Sequence, residues 1–158
     1  MSSYSALATV ADPAEGMKVS ARTGSGFEIT YDTEESEDRA GPSPNESLLA
    51  ALAACTSMDV ASILRKKRQV PATYQIAVTG ERSSEHPRVY TAIVVEHRVT
   101  GDIDPEALRR SVELSATRYC PVNAALSASV RVEHRYRLVR DAQDEEPVSA
   151  LVVVTGPS

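Results

Sequence analysis

Two residues of this 158-residue chain can do sulfur redox chemistry, Cys55 and Cys120, and they are its only cysteines. A thiolate reacts with peroxide oxygen to give a sulfenic acid, and a second thiol condenses with that acid to form a disulfide. The pair therefore offers two-cysteine chemistry if the fold joins the sulfurs, which their distance in sequence neither requires nor forbids. The plain alternative for each is a small buried hydrophobe, the ordinary fate of a free cysteine in an apolar helix. Cys55, in Ala-Ala-Cys-Thr, suits that alternative. Cys120 stands directly before Pro121. Proline disfavours a helical residue ahead of it and fits the first position of a new helix, so Cys120 is predicted to cap a short helical segment over 121–128. Free amides and the dipole at such a terminus lower a thiol's pKa, so the residues alone favour Cys120 as the more acidic sulfur.

The remaining chemistry-bearing residues form weaker patterns. His86, His97 and His134 have no metal-ligand spacing with one another or with the cysteines, so no bound metal is predicted. His97 and His134 fall on apolar strand faces, where a core histidine is expected. Gly24-Ser25-Gly26 lacks the further glycine and the strand-turn-helix setting of a phosphate loop. No Cys-His-Asp order or oxyanion-type motif supports acyl transfer.

Several elements must position the sulfurs. Short β-like runs at 4–10, 17–21 and 27–32 alternate with the turn formers Asp12-Pro13, Gly16, Gly24 and Gly26. The acidic stretch 34–41 reads as loop. Ser43-Pro44-Asn45-Glu46 is then a helix start, with a capping serine, a proline suited to the first position and a glutamate that completes a capping box. The helix runs to about Leu64 and ends in Arg65-Lys66-Lys67-Arg68, cations that complement the negative end of its dipole. Its uncharged first half predicts burial on all sides, with Cys55 inside. Runs at 73–80 and 88–99 predict a hairpin. Asp104-Pro105 opens a second helix whose inward stripe is Leu108, Val112, Ser115 or Ala116, and Tyr119, with Glu106 facing Arg110 on the wet side. Residues 129–139 alternate as a half-buried strand. After the acidic linker 141–146, the run 148–155 predicts either an edge strand or a frayed tail.

The bulk numbers bound the function. Length and a hydrophobic fraction of 42% predict one compact domain over 1–140, followed by the linker and extension over 141–158. A net charge of −5 offers no electrostatic case for nucleic acid or anionic lipid. The longest apolar run, 48–55, falls short of a bilayer span, and the first residues lack the layout of a secretory signal, so a soluble cytoplasmic protein is expected. Two cysteines are too few for a disulfide scaffold, and a reducing compartment keeps them as thiols between chemical events.

The ordered motifs resemble a family. Gly41-Pro42-Ser43-Pro44-Asn45-Glu46-Ser47-Leu48-Leu49 through Ala54-Cys55-Thr56-Ser57-Met58-Asp59-Val60 is similar to the central helix of OsmC-like proteins, the superfamily of the organic hydroperoxide reductases. Glu81-Arg82, Pro87-Arg88-Val89-Tyr90-Thr91, Val99-Thr100-Gly101, Val112-Glu113-Leu114-Ser115-Ala116 and Tyr119-Cys120-Pro121-Val122 continue the likeness in order over about residues 40–140. The resemblance implies an α+β fold with two antiparallel sheets around two long central helices, and an intertwined homodimer with its sites at the interface. It also implies a peroxidatic Cys55 and a resolving Cys120, reduction of organic or lipid hydroperoxides, no bound cofactor, and reset by an external dithiol of the dihydrolipoamide type, such as a lipoylated protein.

Relatives support the reactive thiol with an arginine and a glutamate. By position these roles fall to Arg22, with Arg39 as second candidate, and to Glu46. In the hydroperoxidase branch the glutamate stands one position earlier, where this chain has Asn45. Glu46 precedes Cys55 by half a rotation of an ideal helix and about 13 Å of rise, so the two cannot touch within one straight helix. The alternative function is an OsmC-like redox sensor or small-molecule binder with little turnover.

Overall fold

The structure, a computed structural model, describes residues 3–140 and 146–158. Its longest helix begins at the capping box. Ser43 Oγ accepts from the Glu46 N–H at 3.3 Å and Glu46 Oε2 accepts from the Ser43 N–H at 2.7 Å, so each residue satisfies an amide that the first turn leaves free. Helix α1 then spans Pro44–Lys66, with Arg65 and Lys66 in its last turn.

The chain divides into two compact units, Met1–Leu48 and Leu49–Ser158. In the first unit, β1 (Ala6–Val10), β2 (Val19–Thr23) and β3 (Glu28–Tyr31) form an antiparallel sheet in the order β1-β2-β3. This small sheet buries little: β1 is exposed along its length, and Leu7 and Phe27 are 72% and 74% exposed.

The second unit carries a larger sheet, β4 (Thr73–Arg82), β5 (Tyr90–Thr100), β6 (Arg131–Val139) and β7 (Val148–Thr155), in that order. The β4–β5 and β6–β7 pairs are antiparallel and β5–β6 is parallel. The α+β class and the two sheets agree with the sequence reading, but the parallel pair makes the second sheet mixed, where the resemblance implied antiparallel pairing throughout. A parallel pair cannot be closed by a hairpin. It needs a crossover, which is α2 (Pro105–Leu114), a π-helical turn (Ser115–Tyr119) and α3 (Pro121–Leu126). The second helix is thus interrupted and is not one long rod. The C-terminal run is an edge strand on β6; most of the acidic stretch before it, residues 141–145, lies outside the described residues.

Strand alternation supplies the core. Ile93, Val95, His97 and Val99 of β5 and Val132, His134, Tyr136 and Leu138 of β6 are buried. A bulge between Glu81 and Arg82 shifts the register, so Tyr90 is buried and Thr91 exposed, one position off the simple alternation. Two apolar clusters result. One gathers Val60, Leu64, Val99, Ile103, Leu108, Val112, Tyr136 and Leu138; the other gathers Leu52, Tyr90, Ile93, Val95, Cys120, Val130 and Val132. Each fully buried Leu or Val in them contributes about 1.5–3 kcal/mol.

Helix α1 departs from the expectation of all-round burial. Leu52, Thr56, Val60 and Leu64, four residues apart, form one buried stripe, while Ala51, Ala54 and Met58 are exposed. An apolar composition shows that a face dislikes water, not that the same chain covers it. By length and composition α1 is also apolar enough to cross a membrane. The continuous run 48–55 understates this because Thr56, Ser57 and Asp59 interrupt it. Its stripe is instead packed into both clusters of the second unit, with Thr56 between Leu52 and Val60.

Candidate dithiol site

The stripe of α1 passes from one apolar cluster to the other at Thr56, and the polar and sulfur groups of the second unit gather there. Cys55 sits mid-helix and is half-buried; Cys120 is 2% exposed; both are free thiols. Cys55 Sγ, Cys120 Sγ and an Asp59 carboxylate oxygen all lie within 4.8 Å of one another.

The break in the second helix aims Cys120. The Thr117 hydroxyl donates back to the Glu113 carbonyl at 2.7 Å, a bond that competes with the regular ladder and bends helices. The Cys120 N–H then reaches the Ser115 carbonyl at 2.9 Å, five residues back, which widens the turn to a π-helix. Cys120 itself is extended, with φ −74° and ψ 104°, as a residue before proline should be. It caps α3, its Sγ accepting from the Asn123 N–H at 3.3 Å, and Thr56 Oγ1 lies 3.6 Å away. The cap predicted from Cys120-Pro121 is therefore present.

Asn123, fully buried, locks this arrangement. Its Nδ2 donates to the Ala116 carbonyl at 2.7 Å and to Thr155 Oγ1 at 3.2 Å. That leaves Oδ1 to accept from His134 Nε2 at 3.0 Å, which fixes the ring as its Nε2–H tautomer. His97 Nδ1 lies 2.8 Å from the Tyr74 hydroxyl. Burial holds the pKa of His134 down at about 4. Burial, and then the neighbouring His134, holds that of His97 down at about 3. Both rings are neutral core histidines, as their strand positions predicted. His97 Nε2 and His134 Nδ1 find no hydrogen-bond partner among the described residues.

The first helical turn of α3 serves both sulfurs. Its Val122 N–H faces Cys55 and favours the thiolate, but larger effects oppose it. Burial comes first, then a hydrogen bond with Cys120, and with smaller weight the charges of Cys120 and Asp59; together they push the Cys55 thiol up to about 11. At neutral pH Cys55 is therefore a thiol.

Asp59 is the residue the sequence reading passed over. It lies four positions after Cys55, one turn along the same face of α1. Its Oδ2 accepts from the Ser115 hydroxyl at 3.1 Å, and Ser115 opens the π-turn that ends at Cys120. The i,i+4 spacing was the available signal. An open cavity of about 390 Å³ borders the site, lined by Asp59, Ser62, Ile63, Lys66, Leu114 and Tyr119. Tyr119, expected on the inward stripe, is 50% exposed because the π-turn rotates it out of phase.

The arginine and glutamate candidates belong to the first unit, whereas both cysteines belong to the second. Glu46 accepts from Arg39 Nη2 at 2.6 Å as well as from Ser43. The Ser43 hydrogen bonds, and then Arg39, hold its carboxyl below the usual range. Arg22 is exposed on β2, opposite Leu7 of β1 and Glu28 of β3. On the second unit's surface, Glu106 pairs with Arg109 at 2.7 Å, not with the expected Arg110, which pairs with Glu113 at 2.8 Å.

A two-sheet α+β chain that opposes one thiol from a long helix with another from the cap of a helix break defines the class of paired-cysteine proteins. Within that class the chain belongs to the OsmC-like family, whose sequence pattern matches residues 35–135. It is 40% identical to protein YhfA of Escherichia coli K12 over 126 residues, 79% of this chain and 92% of that protein. The solved structure of a hypothetical protein from Aquifex aeolicus VF5 superposes with a TM-score of 0.78 at 28% identity, over 89% of this chain and 99% of that one. An organic hydroperoxide resistance protein from Elizabethkingia anophelis, 12% identical, shares the fold with a TM-score of 0.65 over 89% of this chain and 98% of its own.

Proposed function

We propose that the chain is a thiol peroxidase that reduces organic hydroperoxides to alcohols through a Cys55 sulfenic acid and a Cys55–Cys120 disulfide, and is reset by an external dithiol. Membership in the OsmC-like family points to redox chemistry related to peroxides. The observation that carries the finer reading is the placement of two free sulfurs within 4.8 Å on separate elements. Access supports Cys55 as the attacking sulfur, because it is half-buried while Cys120 is 2% exposed. This outweighs the preference for Cys120 drawn from its helix cap, since Val122 and Asn123 of one cap serve both sulfurs. The apolar neighbours Leu49, Leu52, Ile76, Val78 and Leu126 favour an alkyl hydroperoxide over hydrogen peroxide. Exposed Leu7, Phe27 and Met58 support a homodimer that would cover apolar surface left bare by one chain. The supporting roles of Arg22 and Glu46 remain part of this reading, with Glu46 also engaged at its own helix start.

Cumene hydroperoxide supplied with dihydrolipoamide tests it. Wild type consumes peroxide catalytically, Cys55→Ser falls to the buffer background, and Cys120→Ser, whose Cys55 sulfenic acid must be reduced by the external dithiol directly, turns over more slowly and accumulates no Cys55–Cys120 disulfide. Absence of wild-type turnover, or full turnover in Cys55→Ser, contradicts the proposal. The specific observation favouring a slow sensor is the Cys55 thiol pushed up to about 11, which leaves little thiolate at neutral pH.

A further inference from the structure

A thiol that stays protonated needs a base within reach before it can attack, and the departing alkoxide needs a proton. The second unit supplies one carboxylate at the right place for both. We infer that Asp59 is the acid–base residue of the dithiol pair, an assignment that rests on the peroxidase reading above. Asp59 lies within 4.8 Å of each sulfur, one helical turn from Cys55. Its carboxylate is oriented by Ser115, which sits on the same π-turn that delivers Cys120. It also lines the open cavity, so a substrate oxygen can approach it.

The electrostatic sign excludes the commoner role for a charged neighbour. A carboxylate beside Cys55 disfavours the thiolate, as does burial. Asp59 therefore cannot serve by stabilising a resting thiolate, and its use is to accept and return a proton. The other titratable groups facing it are Cys55 on its own helix, Cys120, Tyr74 on β4, and Lys66 and Tyr119 at the cavity wall. Burial and then the charge of Asp59 push the Tyr74 hydroxyl far up, which removes it as a base. His134 spends its Nε2–H on Asn123 and is kept neutral by burial.

The steps balance. As Cys55 Sγ attacks the terminal oxygen of ROOH, its proton passes to Asp59 and the O–O bond breaks. The alkoxide leaves with the electron pair and takes the proton back as ROH, so sulfur is oxidised by two electrons and the peroxide reduced. In the second step the Cys120 proton passes to Asp59, Cys120 Sγ attacks the Cys55 sulfur, and the S–O bond breaks. Hydroxide leaves, takes the proton and becomes water.

Asp59→Asn keeps an oxygen for Ser115 and the side-chain volume but cannot carry the proton. Two rates are compared in wild type and variant: cumene hydroperoxide reduction and alkylation of Cys55 by iodoacetamide, whose iodide leaving group needs no proton. The expected result at pH 7 is a fall of about 100-fold in peroxide reduction with a much smaller fall in alkylation, which loses the base but needs no proton returned to its leaving group. The logarithm of the variant's peroxide rate then rises with pH in step with Cys55 ionisation, while the wild type stays flatter, and Asp59→Glu recovers part of the loss. Equal peroxide rates in wild type and Asp59→Asn overturn the inference and leave the peroxidase reading standing. A parallel fall in both rates also overturns it, since that is the mark of a structural role. A wild type that consumes no peroxide sinks both.

Discussion

The second unit buries two pairs of reactive side chains, and they are treated in opposite ways. His97 and His134 each make one hydrogen bond to a neutral partner, Tyr74 and Asn123, and burial strips both of charge. Cys55 and Cys120 face each other beside the first amides of α3 and a carboxylate that itself lines an open cavity. Asn123 belongs to both sets, giving its backbone N–H to Cys120 and its side-chain oxygen to His134. Burial alone therefore does not make a candidate site: among the described residues the histidines meet neutral hydrogen-bond partners, whereas the cysteines stand beside a carboxylate that lines an open cavity.

This contrast can be broken at known points. The largest expected effect is on acid stability. The unfolded histidines take up protons near pH 6.5 while the folded ones wait until about 3 and 4. The unfolded state therefore binds more protons below pH 6.5, and stability is full above that value and lost as pH falls. Each ring approaches a loss of about 1.4 kcal/mol per pH unit well below pH 6.5, which sums to about 3 kcal/mol for the pair between pH 6.5 and 5. Urea unfolding across that range measures it. If the histidine pair is independent of the thiols, Cys55→Ser leaves the slope unchanged.

Cutting the shared residue gives the next effect. Asn123→Ala strands the Ala116 carbonyl and His134 Nε2 in a fully buried place, with an expected cost of about 2–3 kcal/mol in chemical denaturation. It also loosens the α3 cap that holds Cys120, so it slows disulfide closure more than the first oxidation. A variant with native stability and native closure would show that the two pairs are not joined through Asn123.

Much of this was legible in the chain because the signals are local. Ser43 and Glu46 cap α1, Asp104 and Pro105 open α2, and Cys120-Pro121 places a sulfur on a helix start; each depends on residues within one turn. What escaped depends on distant partners. The π-turn arises where Thr117 competes for the Glu113 carbonyl, and it rotates Tyr119 outward while presenting Ser115 to Asp59. Nothing in Ser-Ala-Thr-Arg-Tyr alone announces that. The bare face of α1 and the exposed first sheet escaped for a related reason: hydrophobic patterning states what avoids water but not which surface covers it. Arg22 and Glu46 are candidates from the family's pattern, whereas Asp59, one helical turn from Cys55, escaped because its importance depends on Ser115 and Cys120 from a distant element.

The central claim is that Cys55 and Cys120 form one redox pair within a single chain. It is tested most directly by treating the reduced protein with one equivalent of cumene hydroperoxide, digesting it without reductant and reading the cross-linked peptides by mass. The account predicts one Cys55–Cys120 peptide pair, two hydrogens lighter than its reduced parts and formed within one chain in mixtures of isotopically light and heavy protein. Thiols left unlinked, or a disulfide that joins two chains, would contradict it.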